Sequence, residues 1–581
     1  MSDGEPADNR ERYRQRRRRP RPTRETSDVP ISVEIAEAYD LIPEIGEGWR
    51  WYDPPYRLLS WLSLGWRRKL FPRPMLERFN LGVNYLLSFN SHDRDLAWSR
   101  DNPHHNLVVS TDEHVNMPSI WVVELFPPTE IPALERSIAR HKWDRMRLRL
   151  EGREGNREML ERSRAGHGWT WWRIVELVGP NSRRFVPNSV RTGLPKDFDL
   201  AELRAIQVGV GLTAVVAEFH LTDEAAMALD TEWHRAHEPQ IVRRRGTRPV
   251  PLDRQWSAFR ETQLVRKGLH DSARKYLASK LPGYFASNRR PQPLLDLLLL
   301  DKHDPTISRT RDLRRSDALR ALGLPWHEIY HVKSTDLPKL LLDQVKGSLH
   351  EVLRDDPTWT LWGRRDAVAK ALGEGGLNVY ASDLNRAIAA RLVDNMYNLL
   401  VMLAVSSFLS ISGEKYAGIR DKASRDHGKF KPRALKSLRR AILSLSINLS
   451  SVHRDVSAFW ARKWRWEGDA EFTYNESPYT KAQDKAAGRE SKKPFSYNDE
   501  LKKRHTEWFN TLLDSDRDYR DILSTVASLG ASADSYKLGR LALWTAVASL
   551  TVALGAVLGA DLGKDSLLGT LWQQFELWFG W

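Results

Sequence analysis

Ser119-Ile-Trp-Val-Val-Glu-Leu-Phe-Pro127 is a short apolar run bounded by prolines, and it reads as a central β-strand. Pro128 and Thr129 then open a helix over about 130–144, with Ile131, Leu134, Ile138 and Trp143 on one face. Trp169–Val178 (WTWWRIVELV) is rich in aromatic and branched residues and reads as a second strand. Two more strands fit within Arg204–Leu221, where Val215, Ala217, Phe219 and Leu221 alternate with Val216, Glu218 and His220. Thr222 and Asp223 cap a following helix through about Trp233. The order β-α-β-β-β-α predicts a ferredoxin-like α/β sandwich, a fold that hosts many unrelated functions. Gly209-Val-Gly211 lacks the third glycine of a dinucleotide fingerprint and falls in a hairpin, so no nucleotide site is assigned to it.

The C-terminal end obeys a different pattern. Leu541–Ala560 (LALWTAVASLTVALGAVLGA) runs without a charge, and at 1.5 Å per residue it is about 30 Å long, the thickness of a bilayer's hydrocarbon core. Lys537 and Arg540 precede it, Asp561, Lys564 and Asp565 follow it, and Trp544 sits near its start. This predicts a transmembrane helix. Beyond it, Leu567–Trp581 carries a helical stripe that includes Trp572 and Trp578. The stripe is short for a crossing and suits an interfacial helix, a second short span being the alternative. Asn395–Gly413 is also uncharged but holds two Asn and four Ser between charged flanks, which predicts a buried helix of the soluble part.

Between these regions lie two sets of apolar residues at alternating spacings of three and four. Leu435, Leu438, Ile442, Leu445, Leu449, Val452, Val456 and Phe459 form the first set. The second is Leu501, Trp508, Leu512, Tyr519, Ile522, Val526, Leu529, Ala533 and Tyr536, with His505 and Ser515 at seam positions. Such repeats make helices with one apolar seam that needs a partner, either within the chain or on another copy. The second helix leads directly into the span, and a Lys-rich loop over about 468–497 separates the two.

In order and length this layout resembles that of CorA-type divalent-cation channels, in which an α/β domain and antiparallel helices precede a long helix entering the membrane. That family carries Gly-Met-Asn after its first span. Here the segment is Gly559-Ala-Asp-Leu-Gly563, and no methionine follows Met402, so no functional residue is carried over.

The fold class expected is therefore α+β: a ferredoxin-like α/β sandwich domain, then a mainly helical region with long heptad helices and a C-terminal transmembrane helix. The expected divisions are a disordered basic tail at 1–30, a helical or irregular region at 31–118, the sandwich at 119–250 and a helical domain at 251–430. An antiparallel long-helix stalk at 431–537 and a membrane anchor at 538–581 (span 541–560, interfacial helix 567–581) complete the chain.

Composition narrows the chemistry. The chain of 581 residues has no cysteine, which excludes disulfide scaffolds, thiol catalysis and thiolate metal sites. There is no GxxxxGK[ST] loop and no GxSxG elbow. The formal charge is +15. Arg10 to Arg24 contribute nine arginines against Glu11, centred on Arg16, Arg17, Arg18 and Arg19, and such a tail suits an anionic membrane leaflet. Trp66, Arg67 and Arg68 form an aromatic–basic group of the same kind. The dense run is confined to a tail and the remaining excess is spread out, so nucleic acid is not the expected partner. Four histidines, His92, His104, His105 and His114, fall among aspartates within 23 residues. Imidazole with carboxylate suits a divalent metal, although HExxH is absent and Pro103 implies a loop.

The expected protein is a membrane-anchored sensor, effector or interaction protein rather than an enzyme, at the cell membrane with its bulk in the cytoplasm. Its expected partners are lipid and further copies of itself through the heptad helices. An oligomeric ion channel of CorA-like layout is the alternative, and a metal-dependent enzyme built on residues 92–114 is the next. Arginine outnumbers lysine, as GC-rich coding favours, which suggests a bacterial source.

Overall fold

The computed structural model describes residues 42–99, 109–144, 155–167, 170–180, 182, 189–243, 248–306, 316–324, 330–345, 356–373, 383–426, 432–461 and 470–560. The chain opens with a helical pair, α1 (Asp53–Ser63) and α2 (Arg73–Ser99), joined by a 3-10 turn at Gly65–Leu70. Next come β1 (Val115–Asn116), β2 (Ser119–Phe126), α3 (Ile131–Arg140), α4 (Asn156–Arg164), β3 (Trp171–Val178), β4 (Val190–Arg191), β5 (Phe198–Gln207), β6 (Thr213–Leu221) and α5 (Asp223–His234). A small hairpin, β7 (Gln240–Val242) with β8 (Val250–Leu252), leads to α6 (Arg254–Lys280), α7 (Tyr284–Ser287) and β9 (Leu294–Leu300). Then follow α8 (Ser316–Ala321), β10 (Tyr330–Ser334), β11 (Leu340–Gln344), β12 (Thr358–Arg364), α9 (Arg365–Leu372) and α10 (Leu384–Val393). Last are α11 (Tyr397–Asp426), α12 (Pro432–Ala461), β13 (Phe472–Glu476), α13 (Pro478–Ala486), β14 (Phe495–Ser496) and the 64-residue α14 (Tyr497–Ala560).

One mixed sheet of 12 strands organises all of this, in the order β14-β13-β10-β11-β12-β9-β2-β6-β5-β3-β4, with β1 beside β9. β9 and β12 run parallel, as do β3 and β4, and the other neighbours are antiparallel. β2 lies near the middle, as its apolar run predicts, and every one of its residues is buried. Successive side chains of a strand point to opposite faces, and both faces here are covered. Trp121, Val123 and Leu125 pack with α10, α11 and α12, whereas Ile120, Val122 and Phe126 pack with α3, α5 and α6. The architecture is helix layer, sheet, helix layer.

The sheet continues well past residue 250. Leu294–Leu300 (LLDLLLL) becomes β9, with Leu295, Leu297 and Leu299 in one core and Leu294, Leu298 and Leu300 in the other. A strand buried on both faces shows no alternation, and this run of leucines lacks the β-branched and aromatic residues that mark β2 as a strand rather than a buried helix. The break in its leucines, Asp296, is held at zero exposure by Arg266 and His270 of α6 and by Thr360 of β12.

α11, α12 and α14 form the layer on one face. α12 runs antiparallel to α14: Ser446 bonds Asp516, His453 meets Phe509 and Trp460 meets His505. The expected apolar row of α12 is buried from Leu438 to Val456. On α14 the inward row is His505, Phe509, Leu512 and Asp516, with Leu501 and Tyr519 partly buried at its ends. Trp508, placed on that row by spacing, is exposed instead. The helix turns its Phe509 inward, and Asp516 takes a seam position because Tyr416 and Ser446 both donate to its Oδ1. Beyond Tyr519, Ile522 is half exposed.

The Gly209–Gly211 turn is a β5–β6 hairpin. A Cβ on Gly209 would lie 2.3 Å from Cγ of Asp455, and the Gly211 amide donates to Asp455 Oδ2 at 2.6 Å. Its glycines admit α12 to the sheet, which accounts for them without a nucleotide.

Candidate functional site

Among the described residues, two helical stretches are long and apolar enough to cross a membrane, Tyr397–Lys422 and Gly539–Ala556. They differ in what surrounds them. The first is 72% buried within the protein and the second 0%. Val401, Ala404, Val405, Phe408 and Leu409 of the first stretch are all in the core beneath the sheet, so its uncharged run is the buried helix that its Ser and Asn content predicts. Around the second, Leu541, Leu543, Trp544, Val547, Leu550, Val552 and Leu554 are all exposed. Among the described residues this leaves an apolar surface exposed round the helix, of a size that marks a protein or membrane interaction site. Tyr519, on α14 and packed against the core, is 22 residues before Leu541, or about 33 Å of helix.

The aromatic–basic group sits on α1 and the 3-10 turn. Arg67 lies 4.0 Å above the ring of Trp61 and 5.5 Å from that of Trp66. Trp49, Trp51, Trp61 and Trp66 are all more than half exposed, and Arg68 is beside them on the surface. Arg16, Arg17, Arg18, Arg19, Trp572 and Trp578 lie outside the described residues.

The four expected metal histidines part company. His92 is half-buried on α2, where burial and the charge of Arg254 lower its pKa. His104 and His105 lie outside the described residues. His114 immediately precedes β1, and its Nδ1 is 2.8 Å from Oδ2 of Asp230 on α5. Asp230 Oδ1 accepts the Val115 amide at 2.9 Å. One helical turn beyond Asp230 is His234, and the rings of His114 and His234 are 5.3 Å apart. The three residues bring one ligand atom each within 4.8 Å of one another, and they are the group of this kind among the described residues. His114 gains a proton more readily than usual, chiefly through its bond to Asp230. Asp230 and His234 escape a reading confined to the histidine-rich loop. The signal that finds them is Asp-x-x-x-His on a helix, a spacing that puts both side chains on one face.

Three buried arginines are structural in geometry. Arg266 forks onto both oxygens of Asp296, with Nη2–Oδ1 2.7 Å and Nε–Oδ2 2.8 Å. Arg274 pairs with Asp356 and donates to the Gln292 carbonyl at 2.7 Å. Arg204 is clasped by Glu202 and by Asp394, at 2.8 Å from the latter. Each ties together elements that are distant in the chain.

The chain matches no family model, no curated protein and no solved structure.

Proposed function

We propose that the protein is a membrane-anchored sensor or effector whose α/β body is carried on a helix that enters the bilayer. The observation that carries this is α14. It is a single helix whose first part is locked into the core through His505, Phe509, Leu512 and Asp516, and whose stretch from Leu541 to Ala556 is bare. No turn interrupts it, so a displacement of the body reaches the bilayer end through a rigid rod. Trp544 near the start of the span suits the head-group level. The basic tail at Arg16–Arg19 and the group of Trp66, Arg67 and Arg68 add affinity for anionic lipid, and the body lies in the cytoplasm.

Within the body, β9-β2-β6-β5 are antiparallel neighbours reached in the chain order β2, β5, β6, β9. Helices α3 and α4 lie between the first two, and α5 and α6 between the last two. This is the strand order of a ferredoxin-like unit, here widened by flanking strands on both sides, and it supports that reading of the sandwich.

The test is fractionation of the full-length chain. Val547→Arg with Leu550→Arg places two charges near the middle of the span, raising the insertion free energy by about 6 kcal/mol at about 3 kcal/mol each. The double variant is expected in the soluble fraction after membranes are washed. A double variant that stays quantitatively in washed membranes contradicts the anchor.

A second reading, an oligomeric channel, is favoured by one observation. Leu443 and Ile447 of α12, and Trp508 and Ile522 of α14, are exposed apolar residues on the two long helices, as an interface between copies requires. A monomer in detergent, or no ion flux in liposomes, counts against it.

A further inference from the structure

We propose that His114, Asp230 and His234 form a binding site for a divalent transition-metal ion of the zinc class. The site stands apart from the membrane anchor and on different residues. Its donor set is two imidazoles and one carboxylate, the set that borderline divalent ions take in three-ligand sites with an open position.

The hydrogen bonding already prepares the ligands. His234 Nδ1 is 2.8 Å from the backbone carbonyl of Asp230. A carbonyl only accepts, so Nδ1 carries the proton and Nε2 carries the lone pair. That Nε2 is buried, and among the described residues it has no hydrogen-bond partner. A buried nitrogen lone pair with nothing to accept from is costly, and a metal ion is the partner that satisfies it. Asp230 is oriented in the same way: Oδ1 is occupied by the Val115 amide, which aims Oδ2 at His114. These are the outer contacts that fix tautomer and ring orientation at metal sites.

The backbone around His114 is braced as well. Its neighbour Glu113 is buried and accepts the amides of Lys302 and His303 at 2.8 and 3.0 Å. The His114 carbonyl accepts the Asp301 amide at 3.1 Å. The ligand is thus tied to the end of β9, in the centre of the sheet. In a tetrahedral zinc site with bonds near 2.1 Å, ligand atoms are about 3.4 Å apart. One atom from each of the three residues already lies within 4.8 Å of the others, and the closest pair, His114 Nδ1 and Asp230 Oδ2 at 2.8 Å, parts on binding as the Nδ1 proton is released and both atoms turn to the ion. Bound metal fastens the last turn of α5 to the start of β1 and leaves one coordination position open to water.

The experiment uses the untagged full-length protein in detergent, stripped with chelator and titrated with Co2+ and with Zn2+ in competition with a chromophoric chelator. One ion per chain is expected, with visible ligand-field bands for Co2+ that Zn2+ abolishes. His234→Gln and Asp230→Asn keep size and hydrogen-bonding capacity. Each is expected to weaken binding at least about tenfold and to remove the bands, with the far-ultraviolet spectrum unchanged. His92→Gln, outside the group, is the control and is expected to bind as the parent does. No binding at millimolar metal, or bands that persist unchanged in both His234→Gln and Asp230→Asn, overturns the proposal. A variant that unfolds on substitution is replaced by His114→Gln, whose side chain is half exposed and whose loss leaves the core intact.

Discussion

Replacing Asp296 by alanine removes the carboxylate on which the middle of the sheet is fastened to α6. Asp296 and Arg266 both have zero exposure. The carboxylate accepts two N–H bonds from Arg266, one from His270 at 2.8 Å and one from Thr360 at 2.8 Å. Arg266 donates also to the Leu322 carbonyl, so without Asp296 its guanidinium keeps neutral acceptors but loses its counter-charge. An uncompensated buried charge costs about 3–5 kcal/mol, a large part of a usual total stability of about 5–15 kcal/mol. The pair's charges also give a pH signature. Arg266 and the bonds from His270 outweigh burial and hold the Asp296 carboxyl far below the usual carboxylate range. A depressed folded-state pKa contributes stability that is complete above the unfolded value of about 4 and is lost as pH falls toward the folded one. Guanidinium unfolding of the detergent-solubilised chain, followed by tryptophan fluorescence, reads both effects. Asp296→Ala is expected to lose about 3–5 kcal/mol at pH 7 and to show a flatter decline below pH 4. A loss under about 1 kcal/mol, or an acid limb unchanged from the parent, refutes the assignment of a buried ion pair.

Three further outcomes follow from other contacts. Burial pushes the imidazole of His505 down to about 4, so it is neutral when folded and the unfolded chain binds the extra proton between that value and 6.5. Stability therefore falls as pH drops through this window, by at most about 3 kcal/mol, and His505→Gln is expected to flatten unfolding midpoints between pH 6.5 and 4. Gly209→Ala forces its Cβ onto Asp455 and is expected to cost about 1–3 kcal/mol, and Asp455→Ala to cost a similar amount through the lost bond to Gly211. Because both changes act on one contact, the double variant should be less destabilised than the sum of the two, as a denaturation cycle would show. Thr222→Ala removes the hydroxyl that caps α5 at the Ala225 amide and is expected to lower stability by about 1 kcal/mol in the same assay.

The sequence reveals elements marked by alternation, by caps or by β-branched and aromatic residues, and hides those that lack such local signals. The strand near Leu221 shows in the sequence because Glu218 and His220 interrupt the apolar set, and the helix after Thr222 because its cap is local. β9 is nearly pure leucine with both faces buried, so nothing periodic marks it. Its neighbours β1 and β12 pair with it from positions remote in the chain. On α14, apolar spacing selects Trp508 for the seam, yet the helix buries Phe509 and Asp516, whose Oδ1 accepts from Tyr416 and Ser446. Hydrophobicity alone cannot place a buried carboxylate whose partners come from two other helices. The His114 group follows the same rule. Its helical half is a local Asp-x-x-x-His, but its other member is 116 residues away, joined only by the packing of α5 on β1.

The absence of cysteine allows the central claim to be measured directly, by single-cysteine labelling in intact membranes. Val547→Cys lies in the bare apolar stretch and Lys503→Cys on the exposed side of the packed part of the same helix, about 66 Å away along the axis. With a water-soluble maleimide on opened vesicles, Lys503→Cys is expected to label at once, and Val547→Cys only after detergent is added. Equal labelling of both before detergent contradicts a membrane-anchored α14.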